Sequence, residues 1–155
     1  MALNTPEFQI LKDNDKEATI KVVGYFSSAC SAAFPFVANT LLGANTAAGR
    51  NCISSITNML YTTSMANGRV SLEFISTVNA NVKALTVGHF NDGELNKYVI
   101  NNANTPTGDY SVNVESAGPN DSFTLIFTVN KENAGVPGNA QNYGAGSWAN
   151  CFTWQ

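Results

Sequence analysis

One histidine, three cysteines and eleven acidic residues make up nearly all the reactive groups of this 155-residue chain. A lone His89 excludes a zinc site built on two or three histidines, and Cys30, Cys52 and Cys151 match no zinc-ligand spacing. A Ser-His-Asp arrangement would have to use His89, and no GxSxG elbow presents a serine. His89 continues the face of Leu85 and Val87 near a strand end, so it reads as structural or simply exposed. Cys30, in "SSACSAAF", would be a nucleophile only with a base, and reads instead as a small packed cysteine. "GANTAAGRN" lacks the GK[ST] ending of a phosphate loop. "DNDKE", with Asp13, Asp15 and Glu17, starts like a calcium loop but lacks the later glycine and glutamate of an EF-hand. Solvated turn residues are the expectation there. For hydrolysis by paired carboxylates, Asp92 and Glu94 in "NDGEL" are the candidates. The expectation is a protein that is not an enzyme, with no catalytic residue, no metal site and no cofactor.

The elements around these residues read as strands. "EATIKVVGYFS", 17–27, places Ile20, Val22 and Phe26 on one face. "YTTSMANGRVSLEF", 61–74, carries Asn67-Gly68 between two alternating runs, the signature of a type I′ hairpin turn. That turn pairs Met65 with Val70, Thr63 with Leu72 and Tyr61 with Phe74, on strands 52–61 and 69–77 that extend either side of it. "VKALTVGHF", 82–90, alternates and ends at the turn signal Asn91-Asp92-Gly93. "ELNKYVI" fits a short helix or a strand. "DYSVNVES" lines up Tyr110, Val112 and Val114, and "SFTLIFTVN" lines up Phe123, Leu125, Phe127 and Val129, with "AGPND" as a hairpin loop between them. Residues 28–49 read as irregular, with room for a helical turn between Ser31 and Leu42 limited by Pro35 and Gly43.

Many short alternating runs and no convincing amphipathic helix predict an all-β fold, an antiparallel β-sandwich or jelly roll. Its body spans 1–133, with 1–16 read as an extended N-terminal segment. Residues 134–155 read as an aromatic C-terminal arm. That arm is rich in Gly and Asn yet holds Tyr143, Trp148, Phe152 and Trp154, whereas disordered tails are poor in aromatics. The four are the candidate interface anchors, on the chain's own body or on a neighbouring subunit.

Charged residues are 12% of the chain, about half the usual share. Asn is about one residue in seven, so solubility rests on neutral polar groups. Net charge is −3 with scattered Lys and Arg, which argues against a nucleic-acid partner. The polar N-terminus "MALNTPEFQILKDNDKE" is no secretory h-region, and "CSAAFPFVANTLLGA" is too short and interrupted to span a bilayer. With an odd number of cysteines, the expectation is a protein made in a reducing compartment, without a membrane partner.

The stretches "YTTSMANGRVSLEF" and "NNANTPTGDYSVNVESAGPNDSFTLIFTVNKENAG" resemble small virion structural proteins of tailed bacteriophages, especially marine ones. In these a strand like "VSLEF" is followed by a "TPTGDY" link and closed by a strand like "NDSFTLIFTVNK". The resemblance covers roughly residues 50–133. It implies a capsid decoration (cement) protein, located in the virion and assembled in the host cytoplasm. Its partners would be the major capsid protein or other virion subunits, and it would form a homo-oligomer, a trimer being favoured. A tail or receptor-binding module that binds carbohydrate, or a major coat protein or other small head component, are the alternative expectations. No catalytic residues carry over.

Overall fold

A computed structural model of the chain describes residues 4–14, 17–37, 40–41, 55–76, 80–96, 99–100 and 106–130. The C-terminal arm with Tyr143, Trp148, Phe152 and Trp154, and also Cys52 and Cys151, lie outside the described residues. The described strands are β1 (Glu7–Asp13), β2 (Glu17–Tyr25), β3 (Cys30–Phe36), β4 (Ser55–Ser76), β5 (Val82–Leu95), β6 (Val99–Ile100), β7 (Pro106–Ala117) and β8 (Ser122–Asn130). Every pairing among them is antiparallel.

The register explains the architecture. The first half of β4 pairs with β8, from Ser55↔Asn130 to Ser64↔Ser122. Its second half pairs with β7, from Arg69↔Glu115 to Ser76↔Pro106. β2 lies on the other side of β8, and β3 on the other side of β7. β5 follows the opposite edge of β4 along both halves. The four runs β2–β3, β8–β7, β4 and β5 thus form one ribbon bent at a shared corner: residues 26–29, 118–121, 65–68 and 88–90. Folding there makes two layers. The first holds β1, β2, β8, the start of β4 and the end of β5; the second holds β3, β7, the end of β4 and the start of β5.

Apolar alternation dictates which faces meet. Ile20 and Val22 of β2, Phe123, Leu125, Phe127 and Val129 of β8, and Tyr110, Val112 and Val114 of β7 all point into the core, as their spacing predicts. Tyr110 of the second layer packs on Phe127 of the first with ring centres 5.4 Å apart, and Phe8 of β1 meets Phe36 of β3 at 5.5 Å. Offset and tilted aromatic pairs of this kind add about 0.5–1.5 kcal/mol beyond their buried area. The result is the expected all-β antiparallel sandwich of jelly-roll type.

Three expected turns are corrected. Asn67-Gly68 is not a hairpin turn: β4 runs continuously through it, and neither residue has positive φ. The apolar faces on both sides are as expected, but Met65, Thr63 and Tyr61 do not pair with Val70, Leu72 and Phe74. Instead, β5 passes from Phe90 opposite Ser64 to Gly88 opposite Arg69, leaving 65–68 as a wide bulge. Gly68 is there because a Cβ would stand 3.0 Å from the Ser116 carbonyl oxygen and 3.0 Å from Ala117 Cα. Asn91-Asp92-Gly93 lies within β5, which continues to Leu95. "AGPND" turns the chain, with Asn120 at φ 69°, but β7 and β8 pair with β4 and not with each other. In addition, the helical turn allowed from Ser31 is a strand up to Phe36. Pro35 is tolerated because β3 is, among the described strands, an edge that pairs with β7 alone. "ELNKYVI" resolves to strand at both ends, with Leu95 closing β5 and Val99 opening β6.

Buried polar groups hold the corner. Asp121, 4% exposed, accepts from Ala66 N–H through Oδ1 at 3.0 Å and from Gly118 N–H through Oδ2 at 2.8 Å. Its carbonyl accepts from Phe26 N–H at 2.8 Å. One residue therefore ties three of the four bent runs together. Thr63 does the same for the fourth, donating to the His89 carbonyl at 2.7 Å and accepting from Asn91 N–H at 3.2 Å.

Candidate interaction face

The two layers present outer faces of different chemistry. On the second layer the outward positions of β4, β5 and β7 carry a self-satisfied polar network. Arg69 Nε donates to Glu115, Lys83 Nζ lies 3.6 Å from the same carboxylate, and Ser71 and Thr86 hydroxyls are 3.1 Å apart. Glu73, 6% exposed, accepts from Asn81 at 3.3 Å and Asn113 at 3.4 Å. The hydrogen bond from Arg69 holds the Glu115 carboxyl below its ordinary range; partial desolvation opposes this and the Arg69 and Lys83 charges reinforce it.

The first layer's outer face is built from two cross-strand rungs. Glu94, Leu60 and Ile126 stand side by side on β5, β4 and β8, and Asp92, Thr62 and Thr124 form the next rung. Between the rungs run Tyr61 and Gly93, and the whole encloses a depression of about 410 Å³. Leu60 is 50% exposed, and Phe90, further along the same face, is 73% exposed. Val23 of β2 stands beyond Thr124 on the same face. The depression thus has an apolar floor, threonine hydroxyls beside it and two carboxylates along one margin.

Asp92 and Glu94 are brought together, though on a strand and not in a turn. Two positions apart on β5, they project from one face about 7 Å apart. That distance suits a glycoside-hydrolase pair in spacing alone. Such a pair works by holding its two carboxyls in unlike environments, and these two share one exposed strand face. What the arrangement offers chemically is acceptance of hydrogen bonds beside an apolar surface. Sequence reading named the two acids but missed Leu60, Thr62, Thr124 and Ile126. The available signal was Leu60 and Ile126 at outward positions otherwise filled by Thr and Ser; their adjacency follows only from the β4–β8 register.

The remaining candidates lie elsewhere. His89 is exposed at the corner with φ 58°, its Nδ1 3.3 Å from the Ala66 carbonyl oxygen. It shares a polar hollow of about 360 Å³ with Arg69, Glu115 and Ser116. Cys30 is a half-buried free thiol with Sγ 4.0 Å from the Asn4 carbonyl. In the acidic "DNDKE" stretch, Asn14 caps the β1–β2 turn by accepting from Glu17 N–H at 3.0 Å, and Lys12 pairs with Glu17. Among the described residues no three His, Cys, Asp or Glu side chains form a group that could hold a metal ion. Nor is any helix among them long and apolar enough to cross a membrane.

No family model and no curated protein matches this chain. Among solved structures, it is similar to a cupin superfamily protein from Desulfitobacterium hafniense DCB-2, at 11% identity and a TM-score of 0.32, over 83% of this chain and 81% of that one.

Proposed function

We propose that this chain is a non-enzymatic structural subunit of a virion, a capsid decoration protein that binds and bridges neighbouring capsid subunits. The observation that carries the binding role is the contrast between the two outer faces. The second layer's polar groups satisfy one another, whereas the first layer exposes Leu60 in a depression and Phe90 further along the same face. An apolar patch rimmed by polar groups is the usual mark of an interaction site. The partner class rests on the resemblance of residues 50–133 to small phage structural proteins. Aromatic anchors at Tyr143, Trp148, Phe152 and Trp154 would extend the contact beyond the body.

The test is sedimentation of the purified chain with heads of the phage that encodes it. Binding that saturates at a fixed copy number per head and is lost in Leu60→Glu supports the reading. A chain that stays in the supernatant refutes it. A second reading, a carbohydrate-binding module of a tail or receptor-binding protein, is favoured by Asp92 and Glu94 standing as hydroxyl acceptors beside an apolar floor. Glycan-array binding that disappears in Asp92→Asn/Glu94→Gln, without head binding, would replace the first reading by this one.

A further inference from the structure

We infer that the first layer's outer face is self-complementary and that a second copy of the chain covers it, in a two-fold dimer that sets Glu94 of each copy against Lys21 of the other. The inference rests on the reading of this face as the binding surface, and names what occupies it in the free protein.

Three observations carry it. The first is the order of charge across the face. In β2, Ile20 and Val22 point into the core, so Lys21, Val23 and Tyr25 point out. The register places Lys21 beside Ile126, so the Leu60 rung reads Glu94, Leu60, Ile126, Lys21 across β5, β4, β8 and β2. An acid stands at one margin, a base at the other, and two apolar residues lie between them. Three strand spacings, about 14 Å, keep the two charges from meeting within one copy. Among the described residues neither takes part in an ion pair.

The second is symmetry. A second copy turned through 180° about an axis along the strands, above the β4–β8 boundary, lies face to face with the first. This operation exchanges β5 with β2 and β4 with β8, and leaves the order of the rungs unchanged. Leu60 of each copy then stands over Ile126 of the other, and Glu94 over Lys21. The rung at the corner end, Phe90, Ser64, Ser122 and Tyr25, obeys the same rule: the exposed Phe90 ring comes over the Tyr25 ring of the other copy. The depression is centred on β4, off the axis, so Ile126 of the second copy enters it. Aligned sheets pack about 10 Å apart with strand directions within about 30°, which keeps the central rung opposed. An isologous contact of this kind closes at two copies. The third is extent. From Asn58 to Ser64 across four strands the face measures about 20 by 19 Å, a flat outline of about 400 Å² per copy. Side-chain relief brings the pair to about 1,000 Å² in total, where specific association begins, so the dimer is reversible and not obligate. A partner that binds at Leu60 must therefore displace the second copy.

The test is sedimentation velocity of the full-length chain from about micromolar to about millimolar concentration. The expected result is a monomer–dimer equilibrium. Lys21→Glu sets like charges against each other twice in the dimer, as does Glu94→Lys, and each alone should raise the dissociation constant about tenfold or more. Mixed in equal amounts, the two variants should dimerise as well as the original chain, because both contacts of the mixed pair again join a base to an acid. Rescue in the mixture also excludes a folding defect in either variant. A chain that stays monomeric throughout overturns the inference, as does a dimer that either variant leaves intact. A mixture that is not rescued, or assembly into trimers, overturns it as well. Failure of the two readings is separable. Rescue by charge exchange in a chain that ignores phage heads removes the virion reading alone, and a strict monomer that binds heads through Leu60 removes the dimer alone.

Discussion

Gly68 distinguishes a corner from a turn, and substitution there has opposite consequences in the two cases. In the folded ribbon a Cβ at Gly68 would stand 2.8 Å from Met65 Cε, 3.0 Å from Ala117 Cα and 3.0 Å from the Ser116 carbonyl oxygen. Met65 is fully buried, so its methyl has only packed core to move into. The other two are backbone atoms, which move only if β7 separates from β4. Forcing one methyl into such a site costs about 1–3 kcal/mol. Because Gly68 has no positive φ, an alanine there recovers about 0.4–1 kcal/mol by stiffening the unfolded chain. Gly68→Ala is left with a net loss of about 1 kcal/mol, a fall of about 2–4 °C in Tm for a chain of this length. Asn and Val place two further heavy atoms in the same contact, so both should lose about 2–3 kcal/mol. In a type I′ turn the order is reversed, since Asn takes positive φ far more readily than Ala. Thermal unfolding of Gly68→Ala, Gly68→Asn and Gly68→Val by circular dichroism reads the order directly. An Asn variant as stable as the Ala variant, or more so, would refute the packing account of this corner.

Two further predictions bear on the groups that hold the corner and the second layer. Asp121→Ala removes the acceptor of two backbone N–H groups and should cost about 2 kcal/mol in urea unfolding, with Asp121→Asn losing less because one acceptor oxygen remains; a change near zero would mean that the corner is held elsewhere. Glu115, held below its ordinary pKa by Arg69, binds a proton in the unfolded chain before it does in the folded one as pH falls. Its contribution is therefore present above the unfolded pKa and is lost as pH drops through the folded one. Arg69→Met should raise the Glu115 midpoint toward the ordinary range in a carboxyl-carbon NMR titration, and an unmoved midpoint would show that the ion pair does not form in solution.

The facing of strands was legible in the sequence where alternation was unbroken. Phe123, Leu125, Phe127 and Val129, Tyr110, Val112 and Val114, and Ile20 with Val22 all point inward as read, because period-two patterning and burial are the same constraint seen twice. The joints were not legible, for a physical reason. Asn67-Gly68, Asn91-Asp92-Gly93 and the Gly-Pro-Asn-Asp run have the composition of hairpin turns. A bulge, a close backbone approach and a bent strand select those same residue types. Composition reports that the backbone departs from regular strand; it does not report whether the chain then reverses or merely bends. Ribbon length decides that, through pairings such as Leu60 with Ile126 that span far more sequence than any turn signal.

The same reasoning joins the corner to the face. A slip of β4 by one residue against β8 would turn Leu60 into the core, away from Ile126, and bring buried residues such as Met59 out. Much of the outer face of the first layer is polar and would not resist such a slip, because Thr62, Thr124 and Thr128 differ little in what they ask of a neighbour. The corner resists it. Asp121 bonds to Ala66 at one fixed position, Thr63 to His89 and Asn91 at another, and Gly68 meets Ser116 and Ala117 where only a glycine fits. These contacts set which residue of β4 lies opposite which residue of β5, β7 and β8. The depression is built from rungs across three of those strands, so its composition is determined at the corner and not by the residues that line it. Corner substitutions that leave the chain folded should consequently disturb binding at Leu60, although none of the corner residues touches that site.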